Sequence, residues 1–293
     1  MGLAWQQGPL ATVSIGHFLI EQQLPERLLF AEPLRRRMRV KFGADWIADS
    51  EDVILLHEPG RYPVAYFRQT DVCIGVLEPS DHVTSHKELG VTTWFAVRSG
   101  DRSTERAAWA YSDLPSFASV LGERVAFAWR AMDAFYEEDE RIVGHAADAY
   151  HRIDIRQTSR HFEVKSKGRT IADTTGPLAL YESGFAPRWY VPSVDVDLTA
   201  LKPLEMQTFC PYKGLCSHFE IDGIPGAVWS YREPFTEVNR ISGMFSFEPD
   251  KVTVTLDGVA LRLEPGQTVV PHGPDRDLTV DEMSRTIGSQ SAD

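Results

Sequence analysis

The sequence predicts a mainly β protein that consists of two similar domains in tandem, with few short helices. Three observations lead to this prediction. The chain repeats itself at a spacing of 124 residues, its apolar residues fall in short segments that alternate with polar ones, and glycine and proline separate these segments. Alternation with a period of two is typical of strands, and helical periodicity is scarce.

The internal repeat defines the domains. When residues 48–97 are aligned with residues 172–221, 14 of the 50 positions are identical, whereas average amino-acid usage gives about 3 by chance. The register then shifts by four, and we attribute the shift to a longer polar loop, SGDRSTER (99–106), in the first copy. The predicted organisation is an N-terminal arm over 1–35, a first domain over 36–145, a second over 156–262 and a tail over 263–293.

Segments of the second copy carry clear strand and turn signals. RHFEVKSKGRTIADT (160–174) and KVTVTLDGVALRLEP (251–265) predict hairpins, the latter turning at Asp257-Gly258, and PRWYVP (187–192) predicts a strand closed by prolines. Along that strand, Arg188 and Tyr190 should share one face while Trp189 takes the other. The best helical candidates are 18–30 and one or two turns over 236–242.

The composition limits the possible partners. The chain is 43% hydrophobic and 25% charged, as in soluble globular proteins, and its net charge of −12 disfavours binding to nucleic acids. Three cysteines do not make a disulfide scaffold, and the sequence shows neither an export signal nor a membrane-spanning apolar stretch. We expect a cytoplasmic protein with no nucleic-acid or membrane partner.

Clustered motifs in the second copy point to a family. They are Glu182, Tyr190-Val191-Pro192, Asp195-Val196, Cys210-Pro211-Tyr212-Lys213-Gly214 and Trp229-Ser230-Tyr231. They resemble the domain-of-unknown-function family numbered 427, closely over 160–258 and more weakly over 39–140, which indicates two tandem copies. The resemblance implies a β-tent fold, with two antiparallel sheets meeting at an angle in each domain. The family is sometimes labelled nucleotidyltransferase, but its name implies no mechanism.

The first copy has lost most of the reactive side chains of the second. At the positions of Lys213, Cys210, Tyr212 and Trp189 it has Leu89, His86, Glu88 and Ala65. Glu58 remains at the position of Glu182. Because a purely structural ion pair should be replaced as a pair, the loss of the lysine alone favours a functional site in the second copy and a supporting role for the first.

We predict that the second domain binds a small organic molecule, because such sites combine aromatic walls with a few fixed polar groups. The predicted ligand-binding residues are Arg188, Trp189, Tyr190, Tyr212, Trp229 and Tyr231. Glu182 and Lys213 are predicted as an acid–base couple or as a clamp on the ligand. The alternative for this set is a structural salt bridge with core aromatic residues.

Catalysis is the alternative to simple binding. Cys210 is a candidate nucleophile, because a nearby cation such as Lys213 lowers the pKa of a thiol, although most free cysteines are buried and inert. A nucleotidyltransferase needs metal-binding carboxylates and a phosphate cradle. The chain has no glycine-rich phosphate loop, and we interpret its D-x-D pattern, Asp195 to Asp197, as a turn or strand end. A transferase or hydrolase that uses Lys213 or Cys210, or a protein-interaction module, also stays open.

The sequence indicates no cofactor, and zinc is not expected. Cys210 and Cys216 lie six residues apart, and no second cysteine pair completes a structural site. His218 is interpreted as a packing residue, because Trp94 takes its place in the first copy. His82 and His86 are interpreted as polar surface residues.

Overall fold

The computed structural model describes residues 19, 21, 28–58, 62–146, 148–183 and 185–262. Across them the protein is mainly β, with antiparallel pairing throughout, which confirms the predicted fold class. The chain divides into two compact units between Asp148 and Ala149. No helix in the described ranges is long and apolar enough to cross a membrane.

The first unit contains two antiparallel sheets. The larger has seven strands in the order β1-β4-β5-β9-β8-β7-β6, and the smaller has four in the order β11-β10-β2-β3. The strands are β1 (Phe30–Pro33), β2 (Met38–Phe42), β3 (Asp45–Ser50), β4 (Ile54–His57), β5 (Val64–Arg68), β6 (Leu77–His86), β7 (Gly90–Ser99), β8 (Arg102–Tyr111), β9 (Arg124–Phe127), β10 (Ala134–Glu137) and β11 (Glu140–Ile142).

The second unit repeats this topology. Its strands are β12 (Ile153–Gln157), β13 (Phe162–Ser166), β14 (Arg169–Thr174), β15 (Leu178–Glu182), β16 (Arg188–Tyr190), β17 (Leu201–Cys210), β18 (Gly214–Ile221), β19 (Ile224–Ser230), β20 (Phe245–Phe247), β21 (Thr253–Leu256) and β22 (Val259–Ala260). The strands β12-β15-β16 and β20-β19-β18-β17 are joined by a bridge between Val191 and Phe245, with N–H···O distances of 2.7 and 2.9 Å. This continuous sheet matches the seven-stranded sheet of the first unit, and β14-β13-β21-β22 matches the smaller one.

Side chains of the long sheet alternate between two hydrophobic clusters. In the second unit, Trp189 packs with Phe162 of the smaller sheet. Tyr190 lies in a different cluster with Val238 and Ile241. The two latter residues belong to the 3-10 helix Thr236–Ile241, which lies within the predicted turns over 236–242. The predicted separation of Trp189 from Tyr190 is therefore confirmed.

Short 3-10 helices connect the strands elsewhere. They span Gln69–Asp71, Ser116–Leu121, Trp129–Ala131, Ser193–Asp195 and Leu198–Ala200. Most of the helix predicted over 18–30 lies outside the described residues, and its last residue, Phe30, begins β1 instead. β1 falls within the stretch assigned to the N-terminal arm, and the tail over 263–293 lies outside the described residues.

The prediction of a longer loop at SGDRSTER is wrong. Ser99 ends β7, a turn follows at Gly100-Asp101, and β8 begins at Arg102. Arg98 and Ser103 are cross-strand partners, as are Ser99 and Arg102. The extra residues therefore lengthen a hairpin, because polar side chains are compatible with paired strands that face solvent.

Candidate functional site

The predicted polar pair meets in the second unit. Glu182 ends β15, and Lys213 lies in the turn between β17 and β18. The Lys213 Nζ donates to Glu182 Oε2 at 2.5 Å, and the two side chains are only 10% and 11% exposed. Gly214 completes the turn with φ +93°, a left-handed conformation that favours glycine, and Gly90 in the first unit has φ +85°. The fold thus holds a buried ion pair at the end of a tight turn.

A third residue joins this pair, and the sequence did not reveal it. His151 Nε2 lies 2.9 Å from Glu182 Oε1, and the His151 ring stacks on Tyr212 at a centroid distance of 3.7 Å. His151 precedes β12, whose Ile153 is the cross-strand partner of Glu182. No signal in the sequence could place it there, because His151 lies between the two predicted domains and outside the aligned repeats.

The charges of the pair are fixed near neutral pH. Burial alone would raise the pKa of Glu182, but the charge of Lys213 and the hydrogen bond from His151 lower it to about 2. Burial alone would lower the pKa of Lys213, but the acidic groups around it, including Cys210 and Glu182, raise it. A carboxylate this acidic is a weak general base, and a protonated lysine is no nucleophile. The pair is suited to holding structure or charge rather than to moving protons.

The predicted aromatic residues divide between two surroundings. Tyr190 and Tyr231 are buried beside Lys213, and burial raises the pKa of both hydroxyls. The Trp229 Nε1 donates to the Tyr190 hydroxyl at 3.3 Å, and the Arg188 guanidinium lies 5.3 Å above the Trp229 ring. Tyr190 and Tyr231 thus lie next to the ion pair, and Tyr212 stacks on His151. Trp229 and Arg188 lie beyond Tyr190, whereas Trp189 belongs to the other hydrophobic cluster.

Cys210 does not have the surroundings of a nucleophile. Burial raises the pKa of its thiol, and the lowering effect of Lys213 is the smaller one, because Glu182 already neutralises the ammonium. Burial also raises the pKa of Cys216, to about 12. Both thiols are therefore protonated near neutral pH, contrary to the activation expected from a neighbouring lysine.

The first unit contains a counterpart of the same site. The Tyr66 hydroxyl accepts from Trp109 Nε1 at 3.1 Å and donates to the Tyr111 hydroxyl at 3.3 Å. The interpretation of His86 as a surface residue is wrong, because its side chain is 9% exposed and its Nε2 lies 2.9 Å from Glu58 Oε2. The local sequence pattern suggested exposure because it cannot show that the Glu58 carboxylate, 28 residues away along the chain, lies beside His86 in the fold.

The hydrogen bonds of the Nδ1 atom define the tautomer of His86. Its Nδ1 accepts from the backbone N–H groups of Glu88 and Leu89, at 3.2 and 3.1 Å. The proton must therefore be on Nε2, which donates to Glu58. The inference that Glu58 had lost its partner with the lysine is consequently wrong, since His86 supplies the donor from a position three residues earlier. Retention of Glu58 does not by itself mark the second copy as functional.

Other polar residues singled out in the sequence have structural roles. His218 Nε2 bonds to Thr208 Oγ1 at 2.8 Å, and Trp94 Nε1 donates to the equivalent Thr84 Oγ1 at 2.9 Å. The Asp195 carboxylate accepts from Thr174 Oγ1 at 2.7 Å. Asp197 accepts from the N–H of Thr199 and pairs with Arg169. Within the described ranges, no three His, Cys, Asp or Glu side chains are grouped closely enough to hold a metal ion.

Sequence comparison accounts for the repeated architecture. The family described as Domain of unknown function (DUF427) matches the chain twice, over residues 30–138 and 154–258. The chain belongs to this family. The two matches fall in the two compact units, which confirms the predicted tandem copies. No curated protein matches the chain.

The second DUF427 copy also has a cavity on the face that carries Trp189. It has a volume of about 410 Å³, and we call it the Trp189 cavity. Its lining residues are Arg160, Phe162, Ala186, Pro187, Arg188, Trp189, Phe247, Pro249, Val254, Leu256, Val259, Leu261 and Arg262. Of the predicted ligand-binding residues, Arg188 and Trp189 line this cavity, whereas the other four belong to the packed cluster around Lys213.

Proposed function

We propose that the second DUF427 copy binds a small organic anion in the Trp189 cavity. The observation that carries this proposal is the combination of an apolar, aromatic interior with guanidinium groups at its border. A volume of about 410 Å³ lies within the range of small-molecule sites. The interior would take an aromatic or aliphatic body, and the arginines would take a carboxylate or a similar group.

The arginines are held in place for this role. The Arg160 Nε donates to Asp257 at 2.6 Å, and its guanidinium carbon lies 5.7 Å above the Trp189 ring. Arg188 Nη1 lies 3.3 Å from Glu248 Oε1. Each guanidinium has five N–H donors, so these contacts orient the groups and leave donors for a ligand. The charge of an arginine is also insensitive to pH in the working range.

The cluster around Lys213 has a supporting role in this proposal. Tyr190 follows Trp189 directly in β16, and its hydrogen bond with Trp229 ties β16 to β19. The buried ion pair joins the end of β15 to the turn between β17 and β18, and both contacts therefore stabilise the sheet that presents Trp189 and Arg188. Catalysis at Lys213 or Cys210 is not part of the proposal, because both groups are protonated and buried near neutral pH.

The test is calorimetric titration of the full chain with aromatic and aliphatic monocarboxylates, such as 2-naphthoate and octanoate. We expect Arg160→Gln to weaken binding at least fivefold. Arg169→Gln is the matched control, since Arg169 lies in the same unit, pairs with Asp197 and is 52% exposed, compared with 50% for Arg160. Absence of binding across the panel, or equal losses in the two variants, would overturn the proposal.

A further inference from the structure

A second hollow lies beside the Trp189 cavity and has a different chemistry. It also has a volume of about 410 Å³, and its charged lining consists of Lys165, Lys167, Lys251, Arg262 and a single carboxylate, Asp250. We call it the lysine groove. In a chain with a net charge of −12, four cations around one hollow are a marked local concentration of positive charge. Such a concentration attracts anions.

The fold holds two of these lysines by neutral groups. Lys251 Nζ donates to the carbonyl oxygens of Pro225 and Gly226, at 2.9 and 3.3 Å. Lys167 Nζ donates to the carbonyl oxygen of Asp222 at 3.1 Å. A carbonyl positions an ammonium group without cancelling its charge, and each ammonium has three donors. Lys165 differs, because it pairs with Glu163 at 2.8 Å.

The groove and the cavity are neighbours. Four residues line both, namely Pro249, Val254, Leu261 and Arg262. The backbone N–H of Leu261 donates to the carbonyl of Val254 at 2.8 Å, which fixes the segment that carries Arg262. A small molecule that extends across these shared residues could therefore place its apolar body in the cavity and its charged end in the groove.

We propose that the lysine groove binds the phosphate end of the ligand whose apolar body occupies the Trp189 cavity. The ligand class is then a phosphate monoester with an aromatic or short aliphatic body. Lysine ammonium groups bind phosphate as compact point charges, and the guanidinium of Arg262, which lines both hollows, suits a bidentate contact with the same phosphate. This inference rests on the proposed function of the cavity, but the groove can be tested without it.

The test uses calorimetry with three probes: 2-naphthyl phosphate, 2-naphthoate and inorganic pyrophosphate. The variant is Lys165→Gln/Lys167→Gln. The control is Lys87→Gln/Lys202→Gln, which changes the net charge equally at exposed positions. We expect the naphthyl phosphate to bind at least tenfold more tightly than naphthoate to the wild type and to the control. The groove variant should lose that advantage while its affinity for naphthoate stays within twofold.

The outcomes separate the two proposals. If pyrophosphate binds, and the groove variant weakens it selectively, the groove is a phosphate site even when naphthoate fails to bind, in which case only the cavity proposal falls. If naphthoate binds but its phosphate analogue binds no more tightly, the groove inference is overturned and the cavity proposal stands. Equal losses in the groove and control variants would also overturn the groove inference, because they would reflect net charge alone.

Discussion

Lys213 donates to Glu182 across 2.5 Å, and about nine-tenths of each side chain is removed from solvent. Isolated charges are costly to bury, so each group depends on the other for its place in the fold. This mutual dependence explains why Glu182 and Lys213 occur together among the motifs of the second copy. It also changes how substitutions at these positions should be interpreted, because a loss of binding there can follow from a loss of folding.

Replacing Lys213 with methionine should destabilise the protein strongly. The variant leaves the Glu182 carboxylate buried without its ammonium partner, and we expect the free energy of unfolding to fall by about 3–5 kcal/mol. Urea denaturation measures this change. The control is Lys202→Met, whose lysine is 74% exposed and lies 3.8 Å from Glu220, and it should change stability by less than about 0.5 kcal/mol. Equal changes in the free energy of unfolding of the two variants would show that the buried pair stabilises the protein no more than an exposed one.

The ion pair should make stability depend on acid pH. Because the pKa of Glu182 is lowered from 4.5 to about 2, the unfolded chain takes up this proton before the folded one does. The stabilisation is complete above about pH 4.5, and it is lost as the pH falls towards 2, by about 3 kcal/mol. Urea unfolding at pH values from 2.5 to 6 should show a shallower decline for Lys213→Met/Glu182→Gln than for the wild type. Parallel curves would contradict this assignment.

Removal of His151 should also destabilise the second unit. His151→Ala deletes a hydrogen bond to a buried carboxylate and the stacking on Tyr212, and we expect a loss of about 2 kcal/mol. His161→Ala is a suitable comparison, since His161 bonds to Asp173 at 2.8 Å but is 48% exposed, and it should cost less than about 0.5 kcal/mol. If the two alanine variants unfold at the same urea concentration, the role given to His151 is wrong.

The three cysteines should react at very different rates. Cys73 is exposed, whereas burial raises the pKa of Cys210 and Cys216. Since the thiolate is the reactive form, a disulfide reagent at pH 7.5 should label one thiol rapidly and the other two slowly. The fast phase should disappear in Cys73→Ser, and all three thiols should react quickly in urea. If a second thiol reacts rapidly in the native protein, the prediction is wrong, and Cys210 becomes a candidate nucleophile again.

Local sequence patterns predicted much of the fold. The turn at Asp257-Gly258 and the separation of Trp189 from Tyr190 depend on neighbouring residues, and the structure has both as predicted. The hairpin at SGDRSTER was missed because polar residues are equally compatible with a loop and with strands exposed to solvent. Rules based on neighbouring residues in the sequence do not distinguish a polar loop from a solvent-exposed strand.

The candidate site was only partly predictable. The pairing of Glu182 with Lys213 could be inferred because they are oppositely charged members of the clustered motifs of the second copy. His151 could not, because it reaches Glu182 from a segment without a counterpart in the aligned copies. The direction of the pKa shift of Cys210 could not be predicted, because sequence proximity to a lysine says nothing about desolvation, which outweighs the charge. Long-range contacts and burial are properties of the folded chain.

A donor to the buried glutamate comes from the β17–β18 turn, at position 213, in one copy, and from position 86, the equivalent of 210, in the other. Both copies therefore have a hydrogen-bonded pair at this site, although the donors stand at positions that do not align. The second copy should accept the arrangement of the first, so Cys210→His combined with Lys213→Leu should be more stable than Lys213→Leu alone. A position that looks vacant by alignment can be filled by a neighbour, and searches for the working copy of such tandem proteins should compare contacts instead of residues.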